Sequence, residues 1–272
     1  MEAPRGKTAI DAFDAALETV APRRFDTRLG RVTTGPLIDM ALKRDRDSGH
    51  LDDFDQQVQE VLAFRHHDFP ADHPFRHVDL MPTVTARPDP WLLGSSGSSA
   101  GLAAAFGIGY SFAGFINPGG AVPALRAHRK AFNPTPYGAG TPQVMLGVAV
   151  FAAESDEEAH RMTWPTRAIF DSLGRTGRVP VVPSIDEASR TLTTAQKDEP
   201  SRIVNGRWPR QVAGRPETVR DQLLQMIEQT GATEVMLQSI SPDQEARRYS
   251  RALIADALGV RPEVGPTAFE AA

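Results

Sequence analysis

Apolar and polar residues along the chain alternate with two different periods, which predict strands separated by helices. The clearest strand is 143–152, where Val144, Leu146, Val148 and Val150 lie on one face of the pattern. Further strands are predicted over residues 24–32, 91–93, 109–115 and 233–239. Apolar positions three or four apart predict intervening helices that include residues 8–20, 36–44, 51–62, 121–132, 156–170, 214–230 and 243–258.

Five strands that alternate with helices indicate an α/β fold with a parallel sheet. Both a doubly wound sheet and a (β/α)8 TIM-barrel type fit this order, and either fold places its ligand at the carboxyl ends of the strands. We expect one domain over residues 1–260 and a flexible tail over 261–272. The polar, proline-containing stretch 175–213 is too long for an ordinary connection, so it is interpreted as an insertion or mobile lid before the last strand.

The chemistry-bearing stretch is the turn that follows the strand at 91–93. Gly94 and the residues Ser95, Ser96, Gly97, Ser98 and Ser99 lead directly into an alanine-rich helix. Glycines permit close backbone approach and Ser98 or Ser99 is expected to cap the helix, so the turn is suited to an anion such as phosphate. A plain strand-to-helix connection remains the alternative, since the turn matches neither a nucleoside-triphosphate loop, a dinucleotide fingerprint nor a hydrolase nucleophile elbow.

Composition narrows the classes of partner. The 272 residues carry a formal net charge of −4 and no cysteine, which argues against nucleic acid as the main partner and excludes thiolate chemistry. Without an apolar run of membrane-spanning length or a signal-peptide core, a soluble cytoplasmic protein with no membrane partner is expected. Four histidines, His66, His67, His73 and His77, fall in a proline-rich stretch that favours a surface loop over a metal site.

Four motifs follow one another along the chain: Arg24-Phe25-Asp26 through Gly30-Arg31, Trp91 to Gly97 with its alanine-rich helix, Val144 to Ala153 followed by Asp156 to Ala159, and Gly214 to Val219. In this order they resemble the motifs of the bacterial luciferase-like flavin-dependent monooxygenases. The similarity runs from about Thr8 to Leu258.

This resemblance implies a (β/α)8 barrel in which reduced FMN activates dioxygen to oxygenate a small organic substrate; some relatives instead use the deazaflavin F420. It also implies that Arg31 pairs with the FMN phosphate. Ser96 and Ser99 would donate hydroxyl hydrogen bonds to that phosphate, and Ser95 and Gly97 would add backbone amides, with Ser98 in the same loop. The resemblance assigns no catalytic residue.

Two departures from the family pattern accompany the resemblance. Relatives commonly have an aromatic residue at the position of Ser98 and histidines at those of Gly114 and Phe115. The helix at 8–20 resembles the one before the fourth strand, so the first three strand-helix units lack a counterpart and five strands would leave the barrel incomplete. The alternatives are therefore a chain start that is not the natural one, completion by another chain, a homodimer, a non-catalytic flavin-binding or subunit-like protein, and an inactive truncated barrel.

Overall fold

The computed structural model describes residues 26–30, 54–78 and 89–260. Its strands are β1 (Asp26–Gly30), β2 (Asp89–Gly94), β3 (Gly109–Ala113), β4 (Val144–Ala152), β5 (Gln211–Gly214) and β6 (Glu234–Gln238). Its helices are α1 (Phe54–His66), α2 (Gly97–Ala105), α3 (Ala121–Ala131), α4 (Asp156–Arg161), α5 (Trp164–Thr176), α6 (Ile185–Thr191), α7 (Thr194–Lys197), α8 (Pro216–Thr230) and α9 (Gln244–Ala257). The predicted helices at 8–20 and 36–44, Arg31 and the tail at 261–272 lie outside the described residues.

The sheet is parallel throughout, and its five predicted strands are neighbours in chain order. Strands β1, β2, β3 and β4 pair consecutively, and β6 also pairs with β4. Residues 145–147 of β4 pair with both β3 and β6, so these two strands occupy opposite edges of β4. A consecutive order favours the barrel over the doubly wound sheet, whose strand order reverses at a switch point. The strands among the described residues do not close a barrel.

Strand β5 is a sixth strand that the sequence pattern does not predict. Ala149 of β4 pairs with Gln211 of β5 on one side and with Gln238 of β6 on the other. Strand β5 therefore lies along the same edge of β4 as β3, beside the carboxyl half of that long strand. The stretch 175–213, interpreted from the sequence as an insertion or mobile lid, contains the first three residues of β5 as well as α6 and α7.

The main hydrophobic core lies between one face of the sheet and the helices. Alternate residues of the central strands, among them Leu92, Tyr110 and Leu146, pack in one cluster with buried residues of α2, α3, α8 and α9. The other face is also buried at Trp91, Ser111 and Met145. A smaller cluster joins the end of β4 to α4 through Phe151, Ala159, Met162 and Ala213.

Helix boundaries follow local signals in most places. Helix α8 starts with a proline in its first turn and ends at Gly231, whose φ of 65° is left-handed. Asp243 caps α9 as the pattern at 243–258 predicts. The single helix expected after Ser155 is divided into α4 and α5 around Met162 and Thr163. Within the described part of the chain, no helix is long and apolar enough to cross a membrane.

Candidate functional site

The serine-rich turn lies at the carboxyl end of β2, where the sequence places it. Helix α2 begins at Gly97 and Ser96 is its N-cap residue, with extended φ and ψ of −140° and 162°. The expectation that Ser98 or Ser99 caps the helix is wrong, because the chain enters the helix before either residue. The Ser96 side chain makes no capping bond. Serines at the starts of α4 and α6, in contrast, accept a bond from their own helix.

The uncapped start of α2 provides the donors that an anion needs. The first amides of a helix have no intrahelical acceptor and carry the positive end of the helix dipole. Here they belong to Gly97, Ser98 and Ser99. Ser96, Gly97 and Ser98 are exposed, and a Cβ added to Gly97 would meet nothing within 4 Å. The donor set of amides and hydroxyls therefore fits a phosphate, and no described residue fills the space beside Gly97.

Gly94 sets how closely the helix start approaches the strand. A Cβ at this position would lie 2.6 Å from Cβ and 2.7 Å from Oγ of Ser99. The Ser99 side chain therefore packs back against the end of β2, and it is only partly exposed. This contact explains why glycine ends the strand and why Ser96, rather than Ser99, presents the more accessible hydroxyl.

Two side chains from the neighbouring strand region hold the loop by its carbonyls. The Tyr110 hydroxyl donates to the Ser96 carbonyl over 2.8 Å, and Asn117 Nδ2 donates to the Ser95 carbonyl over 2.9 Å. The Gly120 amide donates to Asn117 Oδ1 over 3.2 Å, which fixes the orientation of that side-chain amide. Burial raises the pKa of Tyr110 far above its usual range, against the smaller opposing effect of its bond to Ser96. The tyrosine therefore remains a protonated donor.

Sequence reasoning did not find Tyr110 or Asn117. Tyr110 occupies an ordinary buried strand position and Asn117 precedes Pro-Gly-Gly in a turn, so neither departs from its local pattern. Their role depends on the pairing of β2 with β3, which sets Leu92 beside Tyr110. Of the predicted phosphate ligands, the structure brings Ser95 to Ser99 together in one turn. Gly30 pairs with Leu93 near that turn, and Arg31, the next residue, lies outside the described part of the chain.

Two of the three positions that depart from the family pattern, Gly114 and Phe115, are packed against β4. A Cβ at Gly114 would lie 2.9 Å from the Gly147 carbonyl, so this backbone has no room for the side chain expected in relatives. A Cβ added at Gly147 would lie 3.3 Å from the Phe115 ring, so this ring packs closely against β4. A histidine at position 114 would therefore require a different course of the chain after β3.

A second polar cluster anchors part of the 175–213 stretch. Arg167 is 5% exposed and donates to the carbonyls of Gln196, Lys197 and Glu199 and to Ser201 Oγ, over 2.7–2.9 Å. His160 Nδ1 and Nε2 lie 2.9 Å from Ser201 Oγ and 2.6 Å from the Lys197 carbonyl. These groups bond to one another and to backbone carbonyls, which indicates a structural role at the end of α7.

Three other histidines of the described ranges bond to the backbone or pack against aromatic rings. His128 is fully buried with Nε2 3.0 Å from the Ile108 carbonyl, and burial lowers its pKa. His73 stacks on Phe69, and His66 packs edge-on against Tyr137. Over 26–30, 54–78 and 89–260, no three side chains of histidine, cysteine, aspartate or glutamate come together in a group that could hold a metal ion.

Comparison with known proteins shows the family and the fold of the chain. The family model described as luciferase-like monooxygenase matches residues 13–234. The protein YceB of Bacillus subtilis is 31% identical over 240 residues, which cover 88% of this chain and 71% of that protein. The luciferase-like monooxygenase of Escherichia coli K12 is 29% identical over 88% of this chain and 69% of its own length. The crystal structure of apo-MsnO8 is 32% identical, covers 95% of this chain and 74% of that chain, and has a TM-score of 0.74.

More distant structures share the fold and differ in cofactor. An FMN-bound type II Baeyer–Villiger monooxygenase from Pseudomonas putida covers 93% of this chain and 74% of its own, at 18% identity and a TM-score of 0.51. A coenzyme F420-dependent tetrahydromethanopterin reductase from Methanopyrus kandleri covers 94% and 79%, at 14% identity and a TM-score of 0.55. The barrel-type α/β fold expected from the motifs is thus confirmed, and the chain belongs to the luciferase-like monooxygenase family.

Proposed function

We propose that the protein is a flavin-dependent monooxygenase that uses reduced FMN and dioxygen to oxygenate a small organic substrate. The observation that carries the proposal is the uncapped start of α2, which offers free amides and serine hydroxyls to an anion in a chain of this family. Reduced FMN would supply the electrons that activate dioxygen.

The chain's own residues would bind and orient the cofactor through its phosphate. Gly97, Ser98 and Ser99 would offer amides, and Ser96 an exposed hydroxyl, at the positive end of α2. Ser95, directly after β2, would contribute its backbone amide. Arg31, the next residue after β1, would add a guanidinium charge. Gly94 keeps the helix start close to the strand.

Fluorescence-quenching titration with FMN tests the binding half of the proposal. We expect the unaltered protein to bind, and Ser96→Ala and Arg31→Ala to weaken binding by about 1.5–3 kcal/mol, the contribution of a hydrogen bond to a charged group. Ser189→Ala is the matched control, because the Ser189 hydroxyl bonds to the Asp186 carbonyl within α6. This bond lies outside the serine-rich turn at residues 95–99, called the phosphate loop from here on. If the unaltered protein does not bind FMN, the proposal is wrong.

Turnover is tested separately by oxygen consumption with reduced FMN across a panel of aldehydes, alkanes and amines. Substrate-dependent consumption that the Ser96→Ala variant reduces would support a monooxygenase. Flavin binding without turnover across the panel would favour the second candidate, a non-catalytic flavin-binding or subunit-like protein. The changes at Ser98, Gly114 and Phe115 favour that candidate.

Coenzyme F420 is the alternative cofactor, because it also carries a phosphate that the same donors would accept. Hydride transfer from reduced F420 to a carbonyl substrate, without oxygen uptake, would identify that activity. Tighter binding of F420 than of FMN in the same titration would favour it over the proposed oxygenation.

A further inference from the structure

We propose that Tyr110 and Asn117 are positioning residues that turn two backbone amides of the phosphate loop towards the ligand. This inference rests on the proposed function for the identity of the ligand. Neither side chain belongs to the loop. Both approach it from the region of β3 and contact its carbonyl oxygens.

The planarity of the peptide bond relates the direction of each loop carbonyl to that of the amide that follows it. In a trans peptide the C=O of one residue and the N–H of the next point in opposite directions. The Ser95 carbonyl is held by Asn117, so the Ser96 amide points away from Asn117. The Ser96 carbonyl is held by Tyr110, so the Gly97 amide points away from the buried Tyr110 hydroxyl.

The side chains of Tyr110 and Asn117, which brace the loop through its carbonyls, are themselves fixed by their surroundings. The Tyr110 ring is fully buried and stacks on His128, with centroids 5.7 Å apart and planes inclined by 28°. His128 is held in turn at the Ile108 carbonyl. Asn117 caps the short turn at Pro118–Gly120 through its Oδ1, which leaves Nδ2 to face the Ser95 carbonyl. The loop is therefore fixed before any ligand arrives, which reduces the ordering cost of binding.

The first experiment compares FMN with riboflavin, which lacks the phosphate. For Tyr110→Phe and Asn117→Ala, we expect FMN affinity to fall about five- to tenfold while riboflavin affinity changes less than twofold, as for one lost hydrogen bond. A merely structural defect would weaken both ligands equally and would overturn the inference. Tyr137→Phe is the control, since its hydroxyl bonds to Asp68 outside the loop.

The second experiment needs no flavin and keeps the two proposals separable. Backbone 15N relaxation in the ligand-free protein should show Ser96 and Gly97 amides as ordered as the centre of α2. Tyr110→Phe should mobilise the Gly97 amide and Asn117→Ala the Ser96 amide. Amides that stay equally ordered in both variants would overturn the positioning role even if FMN binds. If the unaltered protein does not bind FMN but the amides become mobile in the variants, phosphate is refuted as the ligand. The positioning of the two amides by Tyr110 and Asn117 would still be supported.

Discussion

Gly94 is the residue at which a single methyl group should disturb the candidate site most. In Gly94→Ala the new Cβ would meet the Ser99 side chain at 2.6–2.7 Å, and the Tyr110 hydroxyl at 3.2 Å. We expect a loss of about 1–3 kcal/mol in the free energy of unfolding, typical of overpacking, together with weaker FMN binding. Urea denaturation and FMN titration measure the two effects.

Gly101→Ala is the matched control for this change. Gly101 lies in the same helix, is exposed, and has no described residue within 4 Å of its added Cβ. Alanine is the better helix former, so this variant should gain up to about 1 kcal/mol in stability without loss of FMN affinity. Equal stability in the Gly94→Ala and Gly101→Ala variants would contradict the close packing at the end of β2.

Protonation of His128 should lower the free energy of unfolding of the protein in mild acid. Burial lowers its pKa in the folded state, so between that lowered value and the unfolded value of about 6.5 the unfolded chain binds more protons. The stability it contributes is complete above about pH 6.5 and is lost as the pH falls through the folded pKa. His128→Gln keeps a donor for the Ile108 carbonyl without titrating, so its unfolding free energy should fall less from pH 7.5 to 5. If the unfolding free energies of the unaltered protein and of His128→Gln fall equally between pH 7.5 and 5, this role of His128 is refuted.

At the scale of elements, Arg167 should determine whether residues 196–201 stay on α5. Arg167→Met removes the donors from three backbone carbonyls and Ser201 Oγ. We expect a loss of about 3 kcal/mol in unfolding free energy and faster limited proteolysis near 194–202, because buried acceptors lose their partner. Arg175→Met is the control: its ion pair with Asp171 is exposed, so the change should cost no more than about 0.5 kcal/mol. Equal protease sensitivity in both variants would contradict the anchoring role.

Elements with a strong periodicity of apolar residues could be predicted from the sequence, whereas elements held in place by tertiary contacts could not. The alternation of apolar residues around Val148 predicts the bounds of β4, and Gly231 predicts the end of α8, each within a residue or two. Strand β5 has only four residues in a polar stretch and forms because β4 extends beyond β3 and offers a free edge there. The turn at Ser95 to Ser99 was predicted from composition, while its braces depend on strand pairing that one sequence does not reveal. The lid role of 175–213 stays a prediction.

At the scale of the whole molecule, flavin binding should be linked to global unfolding. Strands β2 and β3, which hold the phosphate loop and its Tyr110 brace, belong to the same core as α3, α8 and α9, so the site is lost when that core unfolds. A ligand that binds only the folded state at a hundred times its dissociation constant adds about 2.7 kcal/mol of stability. For a chain of this size that corresponds to a rise of roughly 5–10 °C in the unfolding midpoint.

The same linkage separates phosphate recognition from non-specific flavin binding. FMN should raise the midpoint more than riboflavin at equal concentration, because only FMN carries the phosphate that we propose binds the amides of Gly97 and Ser98 and the Ser96 hydroxyl. Ser96→Ala should shrink the difference between the two ligands, whereas Ser189→Ala should preserve it. Equal shifts for FMN and riboflavin in the unaltered protein would mean that the ring, rather than the phosphate, is bound, and that the start of α2 is only a connection between strand and helix.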